Sequence, residues 1–198
     1  MNWSEYKSKL LEKRNDLELT QIKKAFLFAT EKHKAQKRKG NGEPYITHPI
    51  AVSLMLTAYS EEIICAALLH DVLEDTNTSV EEIEQKFGSK IRILVQGVTK
   101  LPKSQFPSKI ERDKKSWEKL EKDVQKEPNI ILIKLADRIH NLRTIEALSP
   151  DRQRIKLKET LDLMIPLAKQ LNVGKEFWLE LEEQVQKGHK KLENQSRV

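Results

Sequence analysis

The chain has 198 residues, enough for one domain with a real core and no need of disulfides or a structural metal. It is 38% hydrophobic, 33% charged and only 6% aromatic, with 6 Gly and 7 Pro, which disfavours a β-sandwich and favours helices. The single cysteine, Cys65, excludes a disulfide framework and a cysteine-based zinc module, and no apolar run approaches the roughly 20 residues of a membrane span. A net charge of +6 suits an anionic partner (a nucleotide, a nucleic acid or an acidic surface) or simply a solvated basic surface.

The first 16 residues are charged throughout and carry no signal-peptide core, so a cytoplasmic protein is expected. Thr20 is expected to cap a helix over 21–36, where Ile22, Phe26 and Ala29 recur at helical spacing. RKGNGEPYITHP (38–49) breaks that pattern and reads as a loop, with Pro49 in the first turn of a helix running to about Thr57. Ser60 is expected to cap one helix over 61–75, whose apolar run IICAALL has no polar face and so predicts a central, buried element. Ser79 and Glu82 have capping-box spacing, Gly88 ends that short helix, and another follows over 89–99. Residues 101–108 form a second loop.

The segment 109–126 is densely charged. It reads either as an anion-binding arm or as a solvated helix face laced with i,i+4 pairs, the second being preferred. Pro128 opens an apolar helix over 129–148, Ser149-Pro150 starts one reaching Asn172 with a kink at Pro166, and Gly174 precedes a last amphipathic helix whose tail frays from Gly188. No repeat, linker or alternating strand pattern is visible. The sum is an all-α chain of about nine or ten helices.

Three stretches carry chemistry. His70-Asp71 lies at the end of the buried helix, with Glu74 and Asp75 one turn on, which predicts one patch of four ionisable groups where a lone carboxylate would be costly. Lys134, Asp137, Asn141 and Thr144 form one polar stripe on an otherwise apolar helix. Such a stripe is either a solvated face or a site for an ion and a phosphorylated ligand. It offers a carboxylate for the ion, a lysine for charge, and an amide and a hydroxyl for orientation. Arg38-Lys39 on a glycine-containing loop suits phosphate or a stacked base, and His48 follows just before Pro49.

In combination, RKGNGEPYITHPIAV, AALLHDVLEDT and VTK…ILIKLADRIHNLRT resemble the hydrolase domain of the RelA/SpoT alarmone enzymes, in the metal-dependent HD phosphohydrolase superfamily. The resemblance spans roughly residues 20–170, and the chain as a whole resembles the stand-alone small alarmone hydrolases. It implies a single all-α HD domain over 1–198, with its core at about 20–170 and a C-terminal helix over 175–190. It implies one ion held by His48, His70, Asp71 and Asp137. The family implies Mn²⁺, while nitrogen and oxygen ligands also admit Fe²⁺, Co²⁺ or Zn²⁺.

The same resemblance places Glu74 and Asp75 at the attacking water and Arg38, Lys39, Tyr45, Asn141 and Thr144 at the nucleotide, to which the stripe adds Lys134. The activity implied is removal of the 3′-pyrophosphate of guanosine 3′,5′-bis(diphosphate) or its pentaphosphate, giving GDP or GTP and pyrophosphate. Two readings stand beside it: an HD enzyme acting on an adenosine alarmone, NADPH or an RNA 3′ end, and a non-catalytic nucleotide-binding module. The expected partner is a small nucleotide, with no membrane; a nucleic acid is disfavoured and the oligomeric state is open. His33 and His189 are expected to face solvent, His140 to be structural, and Cys65 to be a small packing residue.

Overall fold

The protein is described by a computed structural model over residues 1–38 and 42–195; Lys39, assigned above to the nucleotide, lies outside the described residues. Among these residues the chain is helical without a strand, apart from one isolated bridge between Lys37 and Pro44.

Helix α1 (Trp3–Lys13) was not among the expected elements. Its signal was present as an Asn-x-x-Glu capping box: Asn2 Oδ1 accepts from Glu5 N at 3.0 Å, and Glu5 Oε2 accepts from Asn2 N at 3.2 Å. Tyr6 and Leu10 are then buried, with Tyr6 stacked on Phe26 of α2 (Leu19–Lys32). Helix α2 starts on a Glu18 cap rather than Thr20 and ends at Lys32 instead of 36. The early stop has a local cause, because His33 leaves the helix and its Nδ1 meets Gln36 Oε1 at 2.8 Å.

Helix α3 (Thr47–Met55) carries Pro49 in its first turn, as expected. Helix α4 (Glu61–Leu69) follows Ser60, and every residue from Ile63 to Leu69 is buried, Cys65 included. It packs on α2, on α3, on α6 (Val80–Val98) and on α8 (Asn129–Arg143), which makes it the centre of the core. Full burial of each Ile or Leu there stabilises by about 1.5–3 kcal/mol.

The expected single helix over 61–75 is interrupted. His70 and Asp71 form a turn, Asp71 sits at φ −99°, ψ −6°, and only then does α5 (Val72–Asp75) begin. Helix α6 has the predicted Ser79 cap and a break at Gly88, whose φ of 85° suits glycine.

Helix α7 (Lys109–Lys126) buries Ser116, Leu120 and Val124 and turns Lys114, Lys115, Lys122 and Lys126 outward, Lys115 pairing with Glu118, which supports the solvated-face reading. Helix α8 ends at Arg143 and yields to a 3₁₀ turn over Ile145–Ala147, short of the expected 148.

The Pro166 kink is spread over a π turn, Thr160–Met164, between α9 (Pro150–Glu159) and α10 (Ile165–Leu171). Pro166 has no N–H for the carbonyl one turn back, and the wider turn absorbs the missing bond. Helix α11 (Lys175–Gln195) runs through Gly188 instead of fraying there. A Cβ at Gly188 would come within 2.8 Å of Leu157, so the glycine lets α11 approach closely, and Leu192 beyond it is buried. Among the described residues no helix is long and apolar enough to cross a membrane.

Candidate active site

Three elements meet at one end of α4. The first turn of α3 supplies His48, the turn after α4 supplies His70 and Asp71, and α8 supplies Asp137. One ligand atom each from His48, His70 and Asp137 lies within 4.8 Å of the other two. Asp71 completes the cluster, with its Oδ2 at 3.0 Å from His70 Nε2 and 3.7 Å from His48 Nε2. Both histidines are buried, while the two aspartates keep 18% side-chain exposure toward the opening. The helix break after Leu69 matters here, because it turns His70 and Asp71 toward α3 and α8.

The hydrogen bonding of His70 tests whether these groups suit a metal. Its Nδ1 donates to the Ala67 carbonyl at 2.8 Å, so a neutral ring has a bare Nε2. That atom is buried without a well-aligned partner, yet Asp71 Oδ2 and Asp137 Oδ1 lie 3.0 and 3.9 Å away. Three electron-rich atoms converge and call for a cation between them. Burial disfavours an imidazolium, but the Asp71 and Asp137 carboxylates outweigh it and push His70 up to about 9. Burial likewise pulls Asp71 and Asp137 upward and is overcome by the adjacent imidazoles, which hold both carboxyls below their ordinary value. Two imidazoles and two carboxylates are a donor set that fits a divalent ion.

Glu74 and Asp75 sit on α5 one turn beyond, as predicted, but in different surroundings. Glu74 Oε1 accepts from Nη2 of the buried Arg112 at 2.8 Å, and Arg112 Nε donates to the Leu101 carbonyl at 2.6 Å. Asp75 has no such guanidinium. Burial, then the Asp71 and Glu74 carboxylates, raise its carboxyl above the ordinary value. Tyr45 links the groups, donating to Asp71 Oδ2 at 2.6 Å and reaching Asp75 Oδ2 at 3.3 Å. Burial and the neighbouring carboxylates move its own phenol far up, so it stays a donor.

The cleft above these residues encloses about 680 Å³. Arg38, Tyr45, Lys134, Asn141 and Thr144 all line it, so the structure gathers every predicted nucleotide residue that it describes. Arg38 Nη2 lies 3.4 Å from Thr144 Oγ1, joining the loop to the end of α8, and Asn141 Nδ2 donates to Asp137 Oδ1 at 2.6 Å. The far wall carries Lys100, Arg138 and Lys156, none of them assigned from sequence. Glu159 and Asp113 neutralise them in part, and burial, then the neighbouring Arg138, lower the Lys156 ammonium pKa.

Two histidines depart from expectation. His33 does not face solvent: it is 1% exposed, tilted against the Tyr45 ring at 4.9 Å, and held neutral by burial. His140 is more than a packing residue, because its Nδ1 lies 2.8 Å from His48 Nδ1. Burial, then His48 and Arg38, lower His140 to about 4. His189 is exposed as expected.

A profile of the HD domain matches residues 25–174. The chain belongs to the HD domain family. Over 164 residues this HD protein is 45% identical to a probable guanosine-3′,5′-bis(diphosphate) 3′-pyrophosphohydrolase of Synechocystis, covering 82% of this chain and 21% of that one. It is 42% identical over 158 residues to the bifunctional (p)ppGpp synthase/hydrolase SpoT of Escherichia coli K12, covering 79% and 22%. The HD chain thus spans about a fifth of the length of these curated relatives. Among solved structures it is similar to a metazoan SpoT ortholog described as hydrolysing ppGpp, with a TM-score of 0.70 and 29% identity over 85% of this chain and 95% of that one. A Listeria monocytogenes structure, 23% identical with a TM-score of 0.56, shares the fold.

Proposed function

We propose that this HD protein is a Mn²⁺-dependent hydrolase that removes the 3′-pyrophosphate of guanosine 3′,5′-bis(diphosphate) or its pentaphosphate, acting in the cytoplasm. Water adds to the phosphorus bound to the ribose 3′ oxygen, that P–O bond breaks, and GDP or GTP leaves with pyrophosphate. The observation that carries the reading is the buried His70 Nε2, without a well-aligned hydrogen bond, facing Asp71 and Asp137 at the mouth of a cationic cleft. The similarity to proteins named for this activity supports it.

His48, His70, Asp71 and Asp137 would hold the ion. When bound, it supplies Lewis acidity toward the phosphoryl group and a water of lowered pKa. Asp75 takes the proton from the attacking water, since burial and the neighbouring carboxylates raise its carboxyl above its ordinary value and no guanidinium is bonded to it. Glu74 is held still by Arg112 and orients the same water with its other oxygen. Tyr45 keeps Asp71 and Asp75 in register through its hydroxyl. Arg38 and Thr144 meet at the nucleoside end of the cleft, and Arg38 presents a planar face on which a purine stacks. Lys100, Lys134, Arg138 and Lys156 offset the phosphate charge.

The test is to incubate metal-free protein with ppGpp, with and without Mn²⁺, and identify the products. GDP and pyrophosphate in the Mn²⁺ arm are expected. Absence of turnover, or release of phosphate from the 5′ side, refutes the proposal. An adenosine counterpart run alongside reads base preference.

A further inference from the structure

His140 and His48 face each other with their Nδ1 atoms 2.8 Å apart and ring centroids 4.8 Å apart. Two ring nitrogens come that close only with one hydrogen between them, so one ring donates and the other accepts. Which way the bond runs is fixed by the other end of His48. Its Nε2 points into the cluster, 3.1 Å from Asp137 Oδ1 and 3.7 Å from Asp71 Oδ2. A metal ion bound through Nε2 needs that nitrogen bare, so a neutral His48 carries its hydrogen on Nδ1. His140 must then receive it on a bare Nδ1 and keep its own hydrogen on Nε2.

We infer that His140 is a positioning residue that fixes the tautomer and the ring orientation of His48 for metal binding, by accepting the hydrogen of His48 Nδ1. The inference rests on the metal reading above. A ligand histidine usually gives its second N–H to a carboxylate, a carbonyl or water, and that partner sets ligand geometry and basicity. Here the partner is a neutral imidazole, which orients His48 without adding negative charge to a site already holding Asp71 and Asp137. The acceptor stands on α8 one turn from Asp137. One helix therefore supplies a ligand and aims another, and the His48–Asp137 geometry is set by a single rigid element.

The test compares three substitutions in the full chain. In His140→Asn the side-chain amide oxygen can occupy the place of Nδ1 and accept the same hydrogen. In His140→Gln the oxygen falls nearer the place of Nε2 and cannot. His140→Leu removes the acceptor. Mn²⁺ is titrated calorimetrically into each metal-free protein, with helical circular dichroism as the control for folding. Affinity is expected to fall about 10–100-fold in the Leu and Gln variants and to stay within about threefold of the parent in Asn. In Zn²⁺-loaded parent labelled with ¹⁵N-histidine, a coupling across the hydrogen bond is expected between the two Nδ1 atoms, with the hydrogen on His48.

A parent that binds no Mn²⁺ overturns the metal reading itself. A parent that binds, with a Leu variant that binds equally well, overturns only the role of His140. The same holds if Asn is as weak as Gln, a comparison that decides the matter if the Leu variant does not fold. A hydrogen found on His48 Nε2 in the loaded parent overturns it as well.

Discussion

Removing the guanidinium of Arg112 is expected to cost both stability and turnover. The side chain is 8% exposed, pairs with Glu74 Oε1 at 2.8 Å and holds the Leu101 carbonyl at 2.6 Å. Breaking a buried ion pair by deleting one partner costs about 3–5 kcal/mol, because the other charge is left without compensation. Glu74 keeps 23% side-chain exposure on the cleft and can turn partly to water, which moves the expected loss in Arg112→Met to about 2–3 kcal/mol. In a chain of this size that is a drop in Tm of roughly 5–10 °C. Glu74, no longer held, should also lower kcat about tenfold or more while KM changes less. The assay is a thermal melt and steady-state kinetics on Arg112→Met, Glu74→Gln and the double variant. The double variant should recover most of the lost stability, since the unpaired charge is gone, with a coupling of about 1–3 kcal/mol. An Arg112→Met protein that melts with the parent, or losses that simply add in the double variant, would refute the reasoning.

Asp75→Asn should keep metal affinity and lose about 10²–10⁴ of kcat as the base disappears. With Asp75 as the proposed base, kcat should fall as pH drops through the Asp75 pKa, which lies above its ordinary value, and Tyr45→Phe, which removes a hydrogen bond that lowers it, should move this acid limb to higher pH. A limb that stays put in Tyr45→Phe assigns it to another group. Asp137→Ala should lose metal and rate together, and exhaustive chelation should abolish activity that Mn²⁺ then restores; full activity after chelation removes the metal from the mechanism. Arg38→Lys keeps the charge but not the planar face, so KM should rise and the preference for guanosine over adenosine should shrink; parental values for both would leave the loop as general electrostatics. His33 is buried neutral, so below about 6.5 the unfolded chain binds a proton that the folded one refuses, and stability falls with pH there. His33→Phe should flatten that slope in melts between about pH 5 and 7, and an unchanged slope would place the effect elsewhere.

The fold was legible where the sequence carries local signals. Apolar periodicity marked α2, α6 and α8, an unbroken apolar run marked α4 as the centre, and Ser79, Gly88 and Pro166 punctuated as their chemistry requires. The misses have physical causes outside those signals. The break after Leu69 lies in a stretch with no Gly or Pro to announce it, and it goes with where His70 and Asp71 point in three dimensions. Continuation of α11 past Gly188 depends on a tight approach to Leu157, which is 31 positions away and outside any local window.

The site shows the same division more sharply. Most of the residues proposed to hold the ion are polar groups in apolar surroundings, and Asp71 inside IICAALLHDVLED announces itself because an unpaired carboxylate there would be too costly. Residues that act through another side chain carry no such mark. Arg112 reads as one more charge on a highly charged helix until Glu74, 38 positions earlier, is found against it. His140 points away from the polar stripe of α8 and looks idle by helical geometry, yet the direction that takes it off the stripe is the one that brings it to His48, 92 positions earlier. Pattern on one helix ranks side chains by the face they share. The groups that hold a catalytic residue in place belong by construction to a different element and approach from another side, so the legible part of an active site is the part that touches the substrate, and the rest is read only from packing.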